Sequence, residues 1–528
     1  MKRVYIIYLL TLIVAFCSIV YELIFSQALT IIFGGTVLRY SVTIGLFLFS
    51  LGIGSFLYRY FDSKNKKINF FRIEILLSLI GPLGLLFIIS INSITSPLVF
   101  TDFFQTILLL LSHVPIILVG ILSGLEIPFL SSMAHKNNNF SEVLGFDYLG
   151  SLVGTLIYAL YLYPGGGLIS SILVIGFLNL IVAVVFYWTL YQGRSRLLYY
   201  FSLLFILIYI ILLINNVAVT EAVQRVYLET DIRALYWSFG AQVINVKIIE
   251  NFRTPYQEVT KYNLKYLYPE NNPDDVCLNL DRHVQICDSW AESYHFGLID
   301  VPSLLISKED LEVLLIGGGD WIAINNLKKY NAKIDHVDID KKFTEYTKTD
   351  DYFIKYHENS YEYEKLNTIF EDGFYFIKNN NKKYDLIVLD LPGIEDDKLL
   401  HLFSVEFYKF LNDGLKDDGF LVSWTYSKDK QPKHNKVLMN TIKEAGFENY
   451  LLYYSYTNYH GEKRQNEAYY IYPKEFTPNF NFDKLPEEYK DLKWEKINYN
   501  KGVKTNSIFS PNYDIIIKRK KVYRGTNG

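Results

Sequence analysis

Apolar residues run almost without interruption through the first 217 positions, then give way to short alternating segments. Residues 5–33 are nearly all apolar, and similar runs follow at 40–58, 69–91, 104–133, 144–163, 168–190 and 198–217. Each approaches or exceeds the roughly 20 residues that carry a helix across a bilayer. The first is too long for a signal-peptide core and lacks a small-residue cleavage pattern. The pattern predicts an α-helical bundle of about seven spans over residues 1–217, a multi-pass membrane domain in contact with lipid.

Beyond 217 the period changes. Ala241–Ile249 and Tyr256–Tyr262 alternate like strands, and Asp275–Gln285 reads as a hairpin. Residues 218–300 are therefore expected to form a linker and a small β domain. Over 301–455, buried strands alternate with helices. The strands are expected at Glu312–Ile316, His336–Ile339, Asn367–Glu371, Leu386–Asp390 and Phe420–Tyr426, and the helices at 321–330, up to 357, 374–380 and 403–413. This is the order of a doubly wound, Rossmann-like α/β domain, which takes ligands at the carboxyl ends of its strands. Residues 456–528 are polar and poorly periodic, a C-terminal extension with no assignable role.

Charge sharpens this division. The net charge of −3 hides a first part with 11 basic and 7 acidic residues and a remainder with 41 and 48. An acidic soluble part lacks the basic footprint of a nucleic-acid binder. Basic residues also suggest orientation. Lys2 and Arg3 precede the first span; Arg59, Lys64, Lys66 and Lys67 lie between the second and third, Lys136 between the fourth and fifth, and Arg194 and Arg196 between the sixth and seventh. They place the N-terminus in the cytoplasm. Seven spans would then carry the soluble part to the other face, whereas its chemistry leads us to expect a cytoplasmic catalytic domain.

Within the spans, Glu22, Glu126 and Asp147 are costly in hydrocarbon and mark either a cation path or hydrogen bonding between helices. Pro128 predicts a kink, and Gly150 and Gly154 a close helix contact. Cys17 lies in an apolar run; Cys277 and Cys287 could pair, but two thiols of a reduced domain are the expectation. The Cys and His spacings fit no zinc site.

The chemistry concentrates at predicted strand ends. Gly317-Gly318-Gly319-Asp320 lets backbone approach a ligand closely. About twenty residues on, Asp338-Ile339-Asp340 offers a carboxylate to ribose hydroxyls, with Asp340 expected as a solvated turn acid. Glu371-Asp372-Gly373 suits an adenine amino group, and Asp390 closes an apolar strand at the same rim. A Walker-type Gly-Lys-Ser/Thr is missing, and an acidic rim favours a nucleoside sulfonium over a pyrophosphate.

In this order the residues resemble the spermidine synthase family, the polyamine aminopropyltransferases, and specifically its bacterial branch with an N-terminal multi-spanning domain. Tyr256-Gln257, Leu278-Asn279-Leu280-Asp281 with Gln285, Tyr294-His295, Gly317–Asp320, Asp338–Asp340, Asp372-Gly373, Tyr384-Asp385 with Asp390, and Leu402-Phe403-Ser404 with Phe407-Tyr408 look like its motifs. Tyr21-Glu22, Gly124–Pro128 and Asp147–Gly150 look like its membrane half. The resemblance implies a class I methyltransferase-like fold and decarboxylated S-adenosylmethionine as donor. It implies aminopropyl transfer to putrescine or a similar amine with release of methylthioadenosine, no metal, and a homodimer through the β domains. It assigns Gln257, Gly317, Gly319, Asp338, Asp372 and Gly373 to the nucleoside, Tyr294, His295 and Asp320 to the amine, and Asp390 to catalysis as proton acceptor. Trp290, Phe296 and Gly393 stand where the family has acids, and Trp321, where it has glycine, is expected to crowd or restack the donor pocket. These departures suggest a changed acceptor. Two other readings are a degenerate nucleoside-binding domain on a transporter-like bundle and a methyltransferase using intact S-adenosylmethionine.

Overall fold

A long apolar segment can satisfy its backbone in an apolar medium by closing its hydrogen bonds along itself. Met1–Ala241, the first of two compact units in the computed structural model of the chain, folds accordingly. The structure describes residues 2–33, 37–61, 65–95, 102–134, 140–191, 195–238, 243–266, 274–281, 283–306, 308, 310–394, 397–425, 427–429, 431–459, 462–475, 480 and 482–516. Lys64, Lys136 and Arg194, used above for orientation, lie outside them.

The helices are α1 (Lys2–Phe33), α2 (Val37–Leu57), α3 (Lys66–Thr95), α4 (Asp102–Ser112), α5 (Val114–Ala134), α6 (Phe140–Ile157), α7 (Tyr163–Phe186), α8 (Arg196–Ile214) and α9 (Asn216–Ser238). Among the described residues, six stretches are long and apolar enough to cross a membrane. One of them, Phe140–Tyr191, has 52 residues, about twice what one crossing needs. It breaks at Gly167, whose φ of 66° leaves the helical region, and so holds two of the predicted spans. Helix α9 occupies part of the predicted linker.

Two prolines shape the bundle by what they cannot donate. Pro128 frees the Gly124 carbonyl inside α5, and Ser55 Oγ of α2 donates to it at 2.9 Å. Pro82 frees the Ser78 carbonyl inside α3, and the Tyr209 hydroxyl of α8 donates to it. Gly150 and Gly154 let α6 settle on α1, where a Cβ would stand 2.2 Å from the Leu12 carbonyl and 2.6 Å from Ile19.

The second unit, Gln242–Lys520, contains two sheets. Strands β1 (Val243–Arg253), β2 (Glu258–Tyr266), β3 (Asp275–Leu280) and β4 (His283–Cys287) form an antiparallel meander. Cys277 and Cys287 face each other across β3 and β4 and form a disulfide, not the two thiols expected. The hairpin register brings their Cα atoms to 4.1 Å, a proximity that sequence spacing alone does not reveal.

The larger sheet contains β5 (Glu312–Gly317), β6 (Lys333–Asp338), β7 (Leu366–Phe370), β8 (Tyr384–Asp390), β9 (Leu415–Trp424), β10 (Asn449–Tyr459), β11 (Glu462–Pro473) and β12 (Trp494–Lys496). Their order is β12-β10-β11-β9-β8-β5-β6-β7. From β7 to β9 the strands are parallel, and β10–β12 add an antiparallel edge. The reading of 456–528 as an extension without a role is corrected here. Strand β11 lies between β9 and β10, with Tyr469–Tyr472 fully buried. Helices α10 (Ala291–His295) and α11 (Val301–Leu305) precede the sheet; α12 (Ile322–Lys328), α13 (Lys341–Thr349), α14 (Asp351–His357), α15 (Gly373–Asn379), α16 (Val405–Gly414) and α17 (Pro432–Glu444) connect its strands. Because β5 is flanked by β6 on one side and β8 on the other, the strand order reverses there and opens a crevice at the ends of β5 and β8.

Candidate active site

Gly317 and Asp390 are register partners at the ends of β5 and β8, so the crevice begins with a glycine beside a carboxylate. Gly317 and Gly318 have φ of 85° and 76°. A Cβ on Gly317 would stand 2.0 Å from the Asp390 carbonyl, and one on Gly318 3.0 Å from Asp390 Oδ2. On Gly319 it would meet Asp338 Oδ2 at 2.8 Å. Only glycine lets the turn run this close to both acids. Below it, the His336 ring holds the Gly317 carbonyl through Nε2 at 3.0 Å. Burial lowers the pKa of that imidazole to about 4, so it stays neutral.

Asp390 receives a hydrogen bond from the Tyr294 hydroxyl at 2.7 Å. Desolvation, followed by the negative charge of Asp320, pushes its carboxyl up to about 6. Burial and the Asp390 charge push the Tyr294 phenol well up, so it remains a donor. His295 is 1% exposed, and its Nδ1–H donates to the Ala291 carbonyl at 2.9 Å. Nε2 of the same ring has no hydrogen-bond partner among the described residues and lies 4.0 Å from Asp320 Oδ2. One ligand atom each from His295, Asp320 and Asp390 lie within 4.8 Å of one another, so a single cation can touch all three. Both an ammonium and a metal ion match that charge.

Tyr294 and His295 sit on a five-residue helix that widens into a π turn at Phe296–Asp300. Such turns free carbonyls. Tyr469 Oη of β11 donates to the Tyr294 carbonyl at 2.9 Å, and Tyr453 Oη of β10 to the Gly297 carbonyl at 2.7 Å. Sequence reading passed over both tyrosines; their only local signal is alternation with apolar neighbours.

At the end of β6, Asp338 accepts the Asp340 N–H at 2.7 Å. Desolvation, then repulsion from Asp340, Asp320 and Asp390, pushes its carboxyl up to about 7. Asp340 is buried, not solvated: it caps α13 through the Phe343 N–H and accepts from Thr254 Oγ1 at 2.5 Å and Gln257 Nε2 at 2.9 Å. Gln257 is thereby held at the rim by Asp340. Asp372 caps α15, and His401, bonded to it at 3.2 Å, lowers its pKa. Gly373 lies against Ile316, where a Cβ would stand 2.5 Å away. Asp385, at the other end of β8, pairs with Lys308 and Lys416 and takes no part in the rim. Gln285 Nε2 donates to the His283 carbonyl at 3.3 Å.

Trp321 does not crowd the rim. It adopts φ of 67°, turns into the core at 1% exposure and donates from Nε1 to the Thr344 carbonyl at 2.9 Å. Its ring meets those of His336 and Tyr361 at 5.2 and 5.9 Å. The left-handed backbone aims the side chain away from the ligand side. Gly393 lines a cleft beside Asp390 with Leu389, Leu391, Ile394, Phe403 and Trp424.

Residues 291–462 match the family model described as spermine/spermidine synthase domain. The chain is 31% identical over 447 residues to polyamine aminopropyltransferase 2 of Aquifex aeolicus, covering 83% of this chain and 82% of that protein. It is 28% identical over 426 residues to the polyamine aminopropyltransferase of Leptospira interrogans, covering 79% and 78%. Among solved structures, a spermidine synthase from Thermotoga maritima gives a TM-score of 0.37 at 19% identity over 47% of this chain and 80% of that one.

Proposed function

The chain belongs to the polyamine aminopropyltransferase family, and from that premise we propose that it transfers an aminopropyl group from decarboxylated S-adenosylmethionine to putrescine or a related amine. The observation that carries the reading is Asp390, braced by Tyr294, meeting Asp320 and His295 at the strand-order reversal. Asp338, Asp372, Gly373, Gln257 and the glycine turn surround the adjoining rim and suit a nucleoside. The amine nitrogen attacks the sulfonium-bound CH2 of the donor. The C–S bond breaks and its electron pair stays on sulfur as neutral methylthioadenosine. Asp390 takes the proton the nitrogen loses. An alkylamine has a pKa near 10, so only about one part in a thousand is nucleophilic at neutral pH, and a carboxylate that accepts its proton raises that share locally. Asp320 attracts the donor's ammonium tail and repels the extra carboxylate of intact S-adenosylmethionine.

Detergent-purified full-length protein, supplied with the donor and a panel of amines, should yield methylthioadenosine and an amine heavier by one aminopropyl group. Methyl transfer from intact S-adenosylmethionine, or nucleoside binding without turnover, would overturn the reading. Turnover should fall as pH drops below about 6, because Asp390 must be ionised to accept a proton. The Tyr294 hydrogen bond favours the ionised form, so Tyr294→Phe should move that acid limb to higher pH. An unmoved limb would remove Asp390 from this role.

We propose further that the apolar helices insert in a cell membrane as a multi-pass anchor. The basic residues place the N-terminus in the cytoplasm, and an odd number of crossings carries the catalytic unit to the opposite face. The Cys277–Cys287 disulfide suits that compartment. This reading sets residue placement above the expectation of a cytoplasmic catalytic domain drawn from the donor. Phe509 is 88% exposed. Phe509→Cys should react with a membrane-impermeant maleimide on intact cells; reaction only after permeabilisation would place the unit in the cytoplasm.

A further inference from the structure

Both oxygens of Asp372 already have a partner in the empty protein. Oδ1 accepts the Tyr375 N–H of α15 at 3.0 Å, and Oδ2 lies 3.2 Å from Nε2 of His401. An ionised carboxylate only accepts, so the imidazole donates from Nε2. Each carboxylate oxygen has room for two donors, which leaves one position on each for a ligand. The two side chains are 34% and 38% exposed, so they face the rim and not the core.

His401 stands on little structure of its own. It lies in a single 3-10 turn, Leu400–Phe403, just ahead of α16. The internal hydrogen bonds of such a turn are poor in geometry. A residue about a hundred positions away holds it instead. Asn506, 1% exposed, donates from Nδ2 to the Leu400 carbonyl at 2.8 Å and to the Phe403 carbonyl at 2.9 Å. Its own carbonyl accepts the Val405 N–H at 2.9 Å. Its Oδ1 accepts the Asn512 N–H at 3.0 Å, and its N–H donates to Thr441 Oγ1 of α17 at 2.9 Å. Every polar group of this buried residue is thereby satisfied, and the turn that carries His401 is gripped at both ends. The next two residues add to the grip: Glu406 of α16 accepts from Ser507 Oγ at 2.6 Å and from the Ile508 N–H at 3.1 Å. A fully satisfied buried polar network fixes one arrangement, which apolar packing alone does not.

We infer that His401 is a positioning residue for the purine base, held in place by Asn506. His401 fixes the rotation of Asp372, so that the open positions of a charged acceptor meet the amino group on C6 of the base. The inference rests on the proposed nucleoside site and adds what aims its acid. It also gives the segment around Asn506, which the linear pattern left without a role, a part in holding the donor.

Calorimetry on the detergent-purified full chain tests this. The probes are methylthioadenosine and its analogue with hydrogen in place of the 6-amino group. The wild type should bind the first and discriminate against the second, because a site built to accept a hydrogen bond rejects a ligand that lacks the donor. His401→Leu should lower methylthioadenosine affinity about three- to tenfold and narrow that discrimination. It should raise KM for the aminopropyl donor and keep kcat, since the reacting atoms lie elsewhere. His401→Gln, which keeps an N–H near the Nε2 position, should restore most of the affinity. Asn506→Ala should show a similar loss that disappears in the His401→Leu background, because both changes act through one bond. Ser507→Ala, a milder change, should show a smaller loss that disappears in the same way, and it decides the point if Asn506→Ala does not fold.

A wild type that does not bind methylthioadenosine would overturn the nucleoside site and this inference with it. Where the wild type binds, an unaltered affinity in His401→Leu would overturn the inference alone. So would equal losses in the Leu and Gln variants, which would make the ring a packing group against Phe374. Unchanged discrimination between the two nucleosides would mean a general distortion of the rim and would also overturn it. Losses from the Asn506 segment that simply add to that of His401→Leu would overturn the role given to Asn506.

Discussion

Asp390→Asn should lower kcat for aminopropyl transfer by about 10²- to 10⁴-fold, the usual worth of a positioned general base. Asparagine keeps the size of the side chain and its hydrogen bond with Tyr294, so the crevice should keep its shape. Methylthioadenosine binding, followed by calorimetry, should be little changed. That split is the diagnostic part. A loss of binding equal to the loss of rate would make Asp390 a structural residue of the glycine turn, whose Gly317 and Gly318 lie against it. The variant should also lose the acid limb of the pH profile, because the group that titrates near 6 is gone.

Asp338→Asn should weaken nucleoside binding and stabilise the empty protein. A hydrogen bond to a charged group contributes roughly 1.5–3 kcal/mol, so affinity for methylthioadenosine should fall about ten- to a hundredfold. Stability moves the other way. The folded-state pKa of Asp338 is raised from 3.8 to about 7, so the fold favours the protonated form. Its contribution is fully present below the unfolded value, near 4, and is lost as pH rises through about 7. At pH 8 the ionised group costs the empty fold on the order of 4 kcal/mol at most. The variant should therefore melt several degrees higher than wild type at pH 8, with the gap closing at pH 4. Equal melting temperatures at pH 8 would mean that Asp338 is already solvated and is not held for a ligand.

Both predictions concern residues legible in the chain, and so does most of the larger sheet. A carboxylate that closes an apolar strand, or a glycine run that follows one, is a local signal: period 2 and hydrophobicity place the strand, and its last residue lies at the rim. The membrane segments are equally local, because length and apolarity decide them. The glycine turn, Asp338, Asp372 and Asp390 were therefore within reach of a linear reading. So were Tyr294 and His295, although only through a motif.

Contacts between distant segments were decided by the tertiary structure. Asp340 reads as a turn acid, yet Thr254 and Gln257 come from the other sheet to bury it. Trp321 follows a glycine turn and by position is expected at the ligand, but a single left-handed residue sends it into the core. Tyr453 and Tyr469 lie more than 150 residues from the carbonyls they hold, and Tyr469 comes from a segment whose polarity hides its strand. Cys277 and Cys287 pair through strand register. Hydropathy and period by themselves determined the spans, the alternating strands and the acids at their ends, since each depends on near neighbours in the chain. Which acids are paired, which are buried, and which face a ligand depended on long-range packing, which sets desolvation and partner distance and leaves no periodic trace in the sequence.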